Sequence, residues 1–252
     1  MKNTIFAAKS ALAAVMVCGA LAFSLAGCGG STTTPAGGTA GSSSSPSPTP
    51  TPTPTPKKYT AAELEAVVHQ ITDGTGASLK VISQKDVAAS LEQVKALMSQ
   101  VTAEPATCKD LAMAGLNRPV EGASIAMGLN QDAATGTSNA LTLSSGLDKA
   151  VLDQMIAQSD QQLSSCATLK VTMQGVTSTV TTTKVAGVGS VPGTLAYRSD
   201  TKLSSGQRQS VIVAQVVKDD VLITATAGGG ASEEAAKDRA GTLLDQAAAL
   251  IK

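Results

Sequence analysis

Tryptophan is absent from this chain of 252 residues, and aromatic side chains of every kind make up only 2% of it. Both phenylalanines, Phe6 and Phe23, fall within the first 27 residues, so the rest of the chain holds only Tyr59 and Tyr197. Sites that stack sugar rings or bases need aromatic faces, and their scarcity counts against carbohydrate and nucleic-acid ligands. Charge of one sign is also missing. There are 19 basic and 19 acidic residues, and no basic run suited to a polyphosphate backbone. No nucleic-acid partner is expected. The single histidine, His69, and four scattered cysteines give no metal-ligand spacing, and Asp-x-Asp calcium loops are absent. No metal and no cofactor are expected.

Long apolar runs are missing too, and this absence is informative. The first ten residues carry Lys2 and Lys9 and no acid, and residues 11 to 26 are apolar but for Ser24. That stretch is shorter than the roughly 20 residues a spanning helix needs, and a basic segment followed by a short apolar one reads as a secretory signal peptide. It ends in Leu25-Ala26-Gly27-Cys28, which resembles the lipobox of bacterial lipoproteins. Small residues before the cysteine suit a peptidase cleft. The resemblance implies that the Cys28 thiol takes a diacylglycerol and that cleavage leaves it as an acylated N-terminus. Two or more acyl chains anchor stably, since each buried CH₂ contributes about 0.8 kcal/mol. The expected location is the outer, extracytoplasmic face of the cell membrane.

Three segments follow: residues 1–27 as signal peptide, 28–57 as lipidated cysteine and tether, and 58–252 as one globular domain. The tether is almost wholly Gly, Ser, Thr, Ala and Pro, with proline alternating from Ser45 to Pro56. Alternating proline stiffens toward polyproline II, and the run spans about 35 Å at its rise per residue. Without the signal peptide and its two lysines, 17 basic residues face 19 acids, a net charge of about −2. Cys18 leaves with the signal peptide and Cys28 carries lipid. Cys108 and Cys166 remain as an even pair in a compartment that permits disulfides, two buried free thiols being the alternative. A bridge would close a loop worth about 4 kcal/mol in the chain-entropy model.

Periodicity supplies the elements. Thr60-Ala61-Ala62-Glu63 is a capping box before a helix with Leu64, Val67, Val68 and Ile71 on one face. Leu79 to Ile82 reads as a short strand, and Ser83 with Asp86 opens a second helix whose stripe is Val87, Leu91, Val94, Met98 and Val101. Ala123, Ile125, Met127 and Leu129 alternate, as do Leu141 and Leu143, with residues 130–138 as the turn. Ser145-x-x-Asp148 is expected to cap a third helix. Strands are expected at residues 168–173 and 176–185, then at 194–199, 209–217 and 221–227, and Ser232 starts a closing helix. The expected class is α+β, an antiparallel sheet with helices packed on one face.

Catalytic candidates are thin. His69 lies beside an apolar stripe, where a solvated or half-buried histidine is ordinary. Gly187 to Gly193 invites comparison with a nucleophile elbow around Ser190, but Val188 and Pro192 stand where that motif needs glycine. Gly228-Gly229-Gly230 precedes a helix, as phosphate loops do. No lysine follows, and Glu233 and Glu234 would repel an anion. Glu121, Asp132, Asp219 and Asp220 are the carboxylates that could pair for glycoside chemistry. No enzymatic activity and no catalytic residue are expected.

Cys108 before the first hairpin, Cys166 after the third helix, the strand series with Tyr197-Arg198, and the closing helix from Ser232 to Ile251 form a pattern of order and spacing. In it the chain resembles a family of actinobacterial exported domains that includes the extracellular sensor domain of PknH-type receptor kinases. The resemblance spans roughly residues 60 to 252. It implies an antiparallel sheet with helices and a cleft, and two disulfides, of which this sequence can supply one. The functional expectation is a non-catalytic module that binds or senses a small ligand or an envelope protein. Alternatives are a structural or interaction protein using a threonine-rich sheet face, and a lipid carrier with an apolar cavity.

Overall fold

The structure is a computed structural model that describes residues 57–109 and 122–252, without the side chains of residues 91–95, 97 and 98 in the second helix. The signal peptide, Cys28, the tether up to residue 56 and Glu121 lie outside the described residues, as do the side chains of Leu91, Val94 and Met98.

The expected α+β class is observed. Nine strands form one antiparallel sheet: β1 (Lys80–Ile82), β2 (Thr102–Glu104), β3 (Ser124–Asp132), β4 (Thr137–Ser145), β5 (Thr168–Met173), β6 (Val176–Lys184), β7 (Leu195–Leu203), β8 (Arg208–Lys218) and β9 (Val221–Gly228). Their spatial order is β1-β3-β4-β9-β8-β7-β6-β5-β2. Among the described residues four α-helices accompany them: α1 (Ala61–Val68), α2 (Gln84–Met98), α3 (Lys149–Ser165) and α4 (Glu233–Leu250), with a short 3-10 turn at Ala106–Cys108. After β4, α3 carries the chain across the sheet to β5. A meander of hairpins then returns strand by strand until β9 pairs with β4.

Local chemistry explains most boundaries. The Thr60–Glu63 capping box closes the N-terminus of α1, and the Ser83 hydroxyl accepts the Asp86 N–H ahead of α2. Asp219 and Asp220 adopt positive φ, 46° and 56°, at the β8–β9 turn, a conformation that aspartate tolerates. The Ser232 hydroxyl accepts the Ala235 N–H at the start of α4. Gln174 and Gly175, both at positive φ, reverse the chain between β5 and β6, which are therefore paired neighbours. Ser145 departs from expectation. It ends β4, and its buried hydroxyl accepts the Tyr59 N–H, while Asp148 stands at the helix cap without a side-chain bond. A partner distant in sequence took the hydroxyl that a local motif would have used.

Within the expected class one detail differs: the helices divide between the two faces of the sheet instead of packing on one. Ile223 packs in the core formed with α1 and α4, whereas its neighbour Leu222 packs with Leu152 and Met155 of α3. Adjacent strand residues point to opposite faces, so α1 and α4 cover one face and α3 the other. The C-terminal helix buries Ala236, Ala240, Leu243, Leu244 and Ala247 on the sheet. In β3 the most deeply buried positions are Ala126 and Gly128, out of phase with the expected Ile125, Met127 and Leu129, which are half-buried. A Cβ on Gly128 would lie 2.5 Å from Val68 Cγ1 and 2.9 Å from Leu79. Small residues there let α1 approach the sheet.

Cys108 and Cys166 form the expected disulfide, with Cα atoms 5.8 Å apart, packed with Leu169 on the α3 side. Among the described residues no helix is long and apolar enough to cross a membrane.

Candidate functional site

Three connections meet at one end of the sheet: the β3–β4 turn, the β7–β8 turn and the β9–α4 junction. Between them lies an open groove of about 750 Å³. Gln131, Asp132, Thr137 and Ser138 form one wall, and residues 207–210 form the other. Gly229 to Glu233 close the end, and Ile212 and Ala236 supply the apolar part of the lining. Amides, hydroxyls, two carboxylates and one guanidinium line this surface beside a somewhat larger apolar area. An open surface of this mixed kind suits an amphipathic ligand oriented by hydrogen bonds.

The groove's end is built on close backbone approach. A Cβ on Gly229 would lie 1.9 Å from the Gly136 carbonyl oxygen, and Gly229 has φ +65°. Gly230, at φ +87°, leaves room for Arg239, whose Nη1 is 2.9 Å from where its Cβ would stand. Arg239 Nη2 donates to the carbonyls of Gly229 at 2.7 Å and Gly228 at 3.0 Å, and its Nε donates to Asn139 Oδ1 at 3.2 Å. The glycine run thus serves a tight junction pinned by arginine, and the helix's first turn carries Glu233 and Glu234. Those acids complement the helix dipole themselves.

A buried carboxylate supports the same corner. Asp73 Oδ1 accepts the Thr75 and Ala77 N–H groups and the Thr75 hydroxyl, and its Oδ2 accepts Asn130 Nδ2. Burial pushes the Asp73 carboxyl up. The hydrogen bonds from Thr75 and Ala77 and the charge of Arg239 outweigh it, leaving the group below its ordinary value. At the groove's rim Arg198 donates to Glu233 at 2.6 Å and to Asp200 at 2.8 Å, which raises its own pKa. The Thr135 hydroxyl and the Ala134 N–H hold Asp132 ionised by lowering its pKa.

The expected candidates end up dispersed. His69 caps the C-terminus of α1, exposed, and does not line the groove. The Ser190 N–H donates to both carboxylate oxygens of Asp245, at 2.8 and 3.0 Å, so its glycine-rich loop is a clamp on α4. Asp219 and Asp220 sit at the end of β9 opposite the groove, roughly 23 Å along the strand from the Asp132 end. Of the described carboxylate candidates, Asp132 alone reaches the groove. No group of three or more His, Cys, Asp or Glu side chains among the described residues could hold a metal ion. The groove itself was not legible from sequence, because its walls come from three segments far apart in the chain. The Gly228–Gly230 run was the one signal for it.

The chain's entry to the fold lies at the other end. The Tyr59 N–H donates to Ser145 Oγ at 3.0 Å, and the Tyr59 hydroxyl exchanges hydrogen bonds of 2.8 Å with the Lys252 carbonyl and N–H. Lys57 Nζ stands 4.3 Å from the centre of the Tyr59 ring. Ser145 pairs with Val221, and Ser138, in the groove, pairs with Gly228. The two sites are thus separated by seven residues of β4, roughly 23 Å.

No protein-family model and no curated protein matches the chain. Among solved structures it is similar to the extracellular domain of PknH from Mycobacterium tuberculosis. Identity is 17% over 68% of this chain and 98% of that one, with a TM-score of 0.44. It is also similar to an uncharacterized protein from Mycobacterium smegmatis, the Rv0999 ortholog. There identity is 15% over 60% and 76% of the two chains, with a TM-score of 0.37.

Proposed function

We propose that this protein is a lipid-anchored, extracytoplasmic binding module that captures a small amphipathic ligand in the groove, without catalysis. The observation that carries this reading is the separation of the groove from the point where the tether joins the fold. A chain held at Cys28 and stiffened by its proline run would present the Lys57–Tyr59 end toward the membrane and the groove away from it. The signal-like segment and lipobox support export and acylation, and the Cys108–Cys166 bridge fits an oxidising compartment. The groove is open to solvent and carries amides, hydroxyls and charged groups among its apolar lining, which favours a ligand oriented by hydrogen bonds over an acyl chain that needs an enclosed cavity. Export and anchoring are tested by membrane fractionation: wild type is expected with the membrane, and Cys28→Ala in the soluble fraction. Ligand capture is tested by amide chemical-shift mapping while the low-mass fraction of a bacterial envelope extract is added. Shifts confined to residues 131–138, 207–210 and 229–236 support the groove, and shifts centred elsewhere contradict it.

A further inference from the structure

Among the described residues, the α4 side of the sheet is covered only in part. Helices α1 and α4 pack over β3, β4, β9 and β8 and reach Ala196 on β7, and the core they form includes nothing from β5, β6 or β2. Directly paired residues of antiparallel strands share a face, so register alone defines what lies on the uncovered part. One row runs Glu104, Lys170, Thr179, Lys202, Arg208 from β2 to β8. The row beside it holds Thr168, Thr181 and Asp200, and the row on its other side holds Thr172 and Thr177. Leu169 and Val180 belong to the cluster around the disulfide, on the opposite face.

This row is cationic, and Glu104 offsets its charge only at the Lys170 end. Lys202 and Arg208 are exposed and have no acidic partner among the described residues. Lys170 is exposed and meets Glu104 only at 3.8 Å. The nearby acids Asp200 and Glu233 are both held by Arg198. Strands lie about 4.8 Å apart, so Lys170, Lys202 and Arg208 span about 14 Å in a line across four strands. Threonine hydroxyls flank that line on both sides and stand within it at Thr179. Thr172 and Thr177 hydrogen-bond to each other at 3.0 Å, which leaves acceptor capacity on both. The row begins at the groove, because Arg208 lines it, and it runs to the β2 edge at the end of the sheet away from Lys57.

We infer that this face is a second binding site, which takes an extended, phosphodiester-linked chain bearing hydroxyl groups. A line of cations at strand spacing selects a linear polyanion over a compact one, and the threonines supply hydrogen bonds that a bare polyanion could not use. Single-stranded nucleic acid has the charge, but the face offers no aromatic ring to its bases. The site adjoins the groove's ligand site through Arg208, but Lys170 and Lys202 do not line the groove.

The test is binding of the full, purified chain to immobilised poly(glycerol phosphate), with inorganic polyphosphate and poly(dT) as competitors. Binding at about 50 mM salt that weakens steeply toward 300 mM is expected from screening. Lys170→Glu with Lys202→Glu is expected to weaken it at least tenfold, and Thr179→Val two- to fivefold with the salt dependence unchanged. Lys202→Gln alone gives the same direction should the double variant fold poorly. Absence of binding at low salt, equal binding by the lysine variants, or stronger competition by polyphosphate or poly(dT) than by soluble poly(glycerol phosphate) would overturn the inference. Chemical-shift mapping of the groove with the double variant separates this outcome from failure of the groove reading, since groove shifts depend on neither lysine.

Discussion

Arg239 of α4 donates 2.7 Å and 3.0 Å hydrogen bonds to the carbonyls of Gly229 and Gly228, fastening the helix to the loop that leads into it. Its Nε bond to Asn139 extends the fastening to β4. Burial lowers the pKa of this guanidinium while the charge of Asp73 opposes the drop. The groove's end wall depends on this one side chain. Replacing Arg239 by Met keeps most of the apolar stem and removes all three bonds, at an expected cost of about 2 kcal/mol. Urea unfolding checks this, and unchanged stability would show the carbonyls to be served by water instead.

Gly229 and Gly206 provide a matched pair. Both have positive φ, but a Cβ at Gly229 would meet the Gly136 carbonyl at 1.9 Å, while one at Gly206 would meet nothing within 4 Å. Gly206→Ala is expected to cost about 1 kcal/mol from backbone strain alone. Gly229→Ala should cost about 3 kcal/mol or more, because the β3–β4 turn must also move. Comparable midpoints for the two variants in thermal unfolding would contradict the close packing at the groove's end.

The disulfide ties β5 and the end of α3 to the short helical turn before residue 109. Its sequence separation of 58 residues gives about 4 kcal/mol in the chain-entropy model, and measured values often fall below that. Cys108→Ser with Cys166→Ser is expected to lower stability by about 2 to 4 kcal/mol. The groove, built by other strands, should keep its chemical shifts. Loss of those shifts in the folded variant would show that the bridge also sets the groove's shape.

Acid should destabilise the fold through Asp73 and Glu63. Both carboxyls sit below their ordinary values in the folded chain. Asp73 does so because its hydrogen bonds and Arg239 outweigh burial, and Glu63 falls to about 2 through its hydrogen bond from Lys57 and those from Thr60. A depressed folded pKa contributes stability that is present above the unfolded value near 4 and lost as pH falls through the folded one. Stability should therefore decline below about pH 4, and Asp73→Asn should flatten part of that slope while leaving the part due to Glu63. Denaturant midpoints from pH 6 to pH 2.5 measure both.

Much of this fold could be read where one residue type carried a local signal. Thr60 and Glu63 announced α1, the closely spaced apolar runs at residues 209–217 and 221–227 announced β8 and β9, and Ser232 announced α4. Where the decisive contact was distant, local reading failed. Ser145 resembled a helix cap, but its hydroxyl belongs to Tyr59, 86 residues earlier. Ala126 and Gly128 hid the buried phase of β3, because burial there is achieved by being small. β2 is three residues long and pairs with a strand nearly 70 positions later, so no periodicity could reveal it. The groove shared this difficulty in full: Asp73, Asn130, Gly136, Arg208 and Arg239 carry no common motif, and it takes the β3–β4, β4–β9 and β8–β9 pairings together to bring them to one corner.

Native mass spectrometry of the mature chain, released from membranes by detergent, tests the lipid-anchored binding module most directly. Wild type should be compared with Ser210→Trp, which places an indole in the groove wall. The expected result is a covalent diacylglycerol mass at Cys28 in both proteins, with a non-covalent ligand small enough for the 750 Å³ groove retained by wild type and lost from the variant. A chain without acyl mass would contradict the anchor, and a ligand held equally by both proteins, or by neither, would contradict the groove.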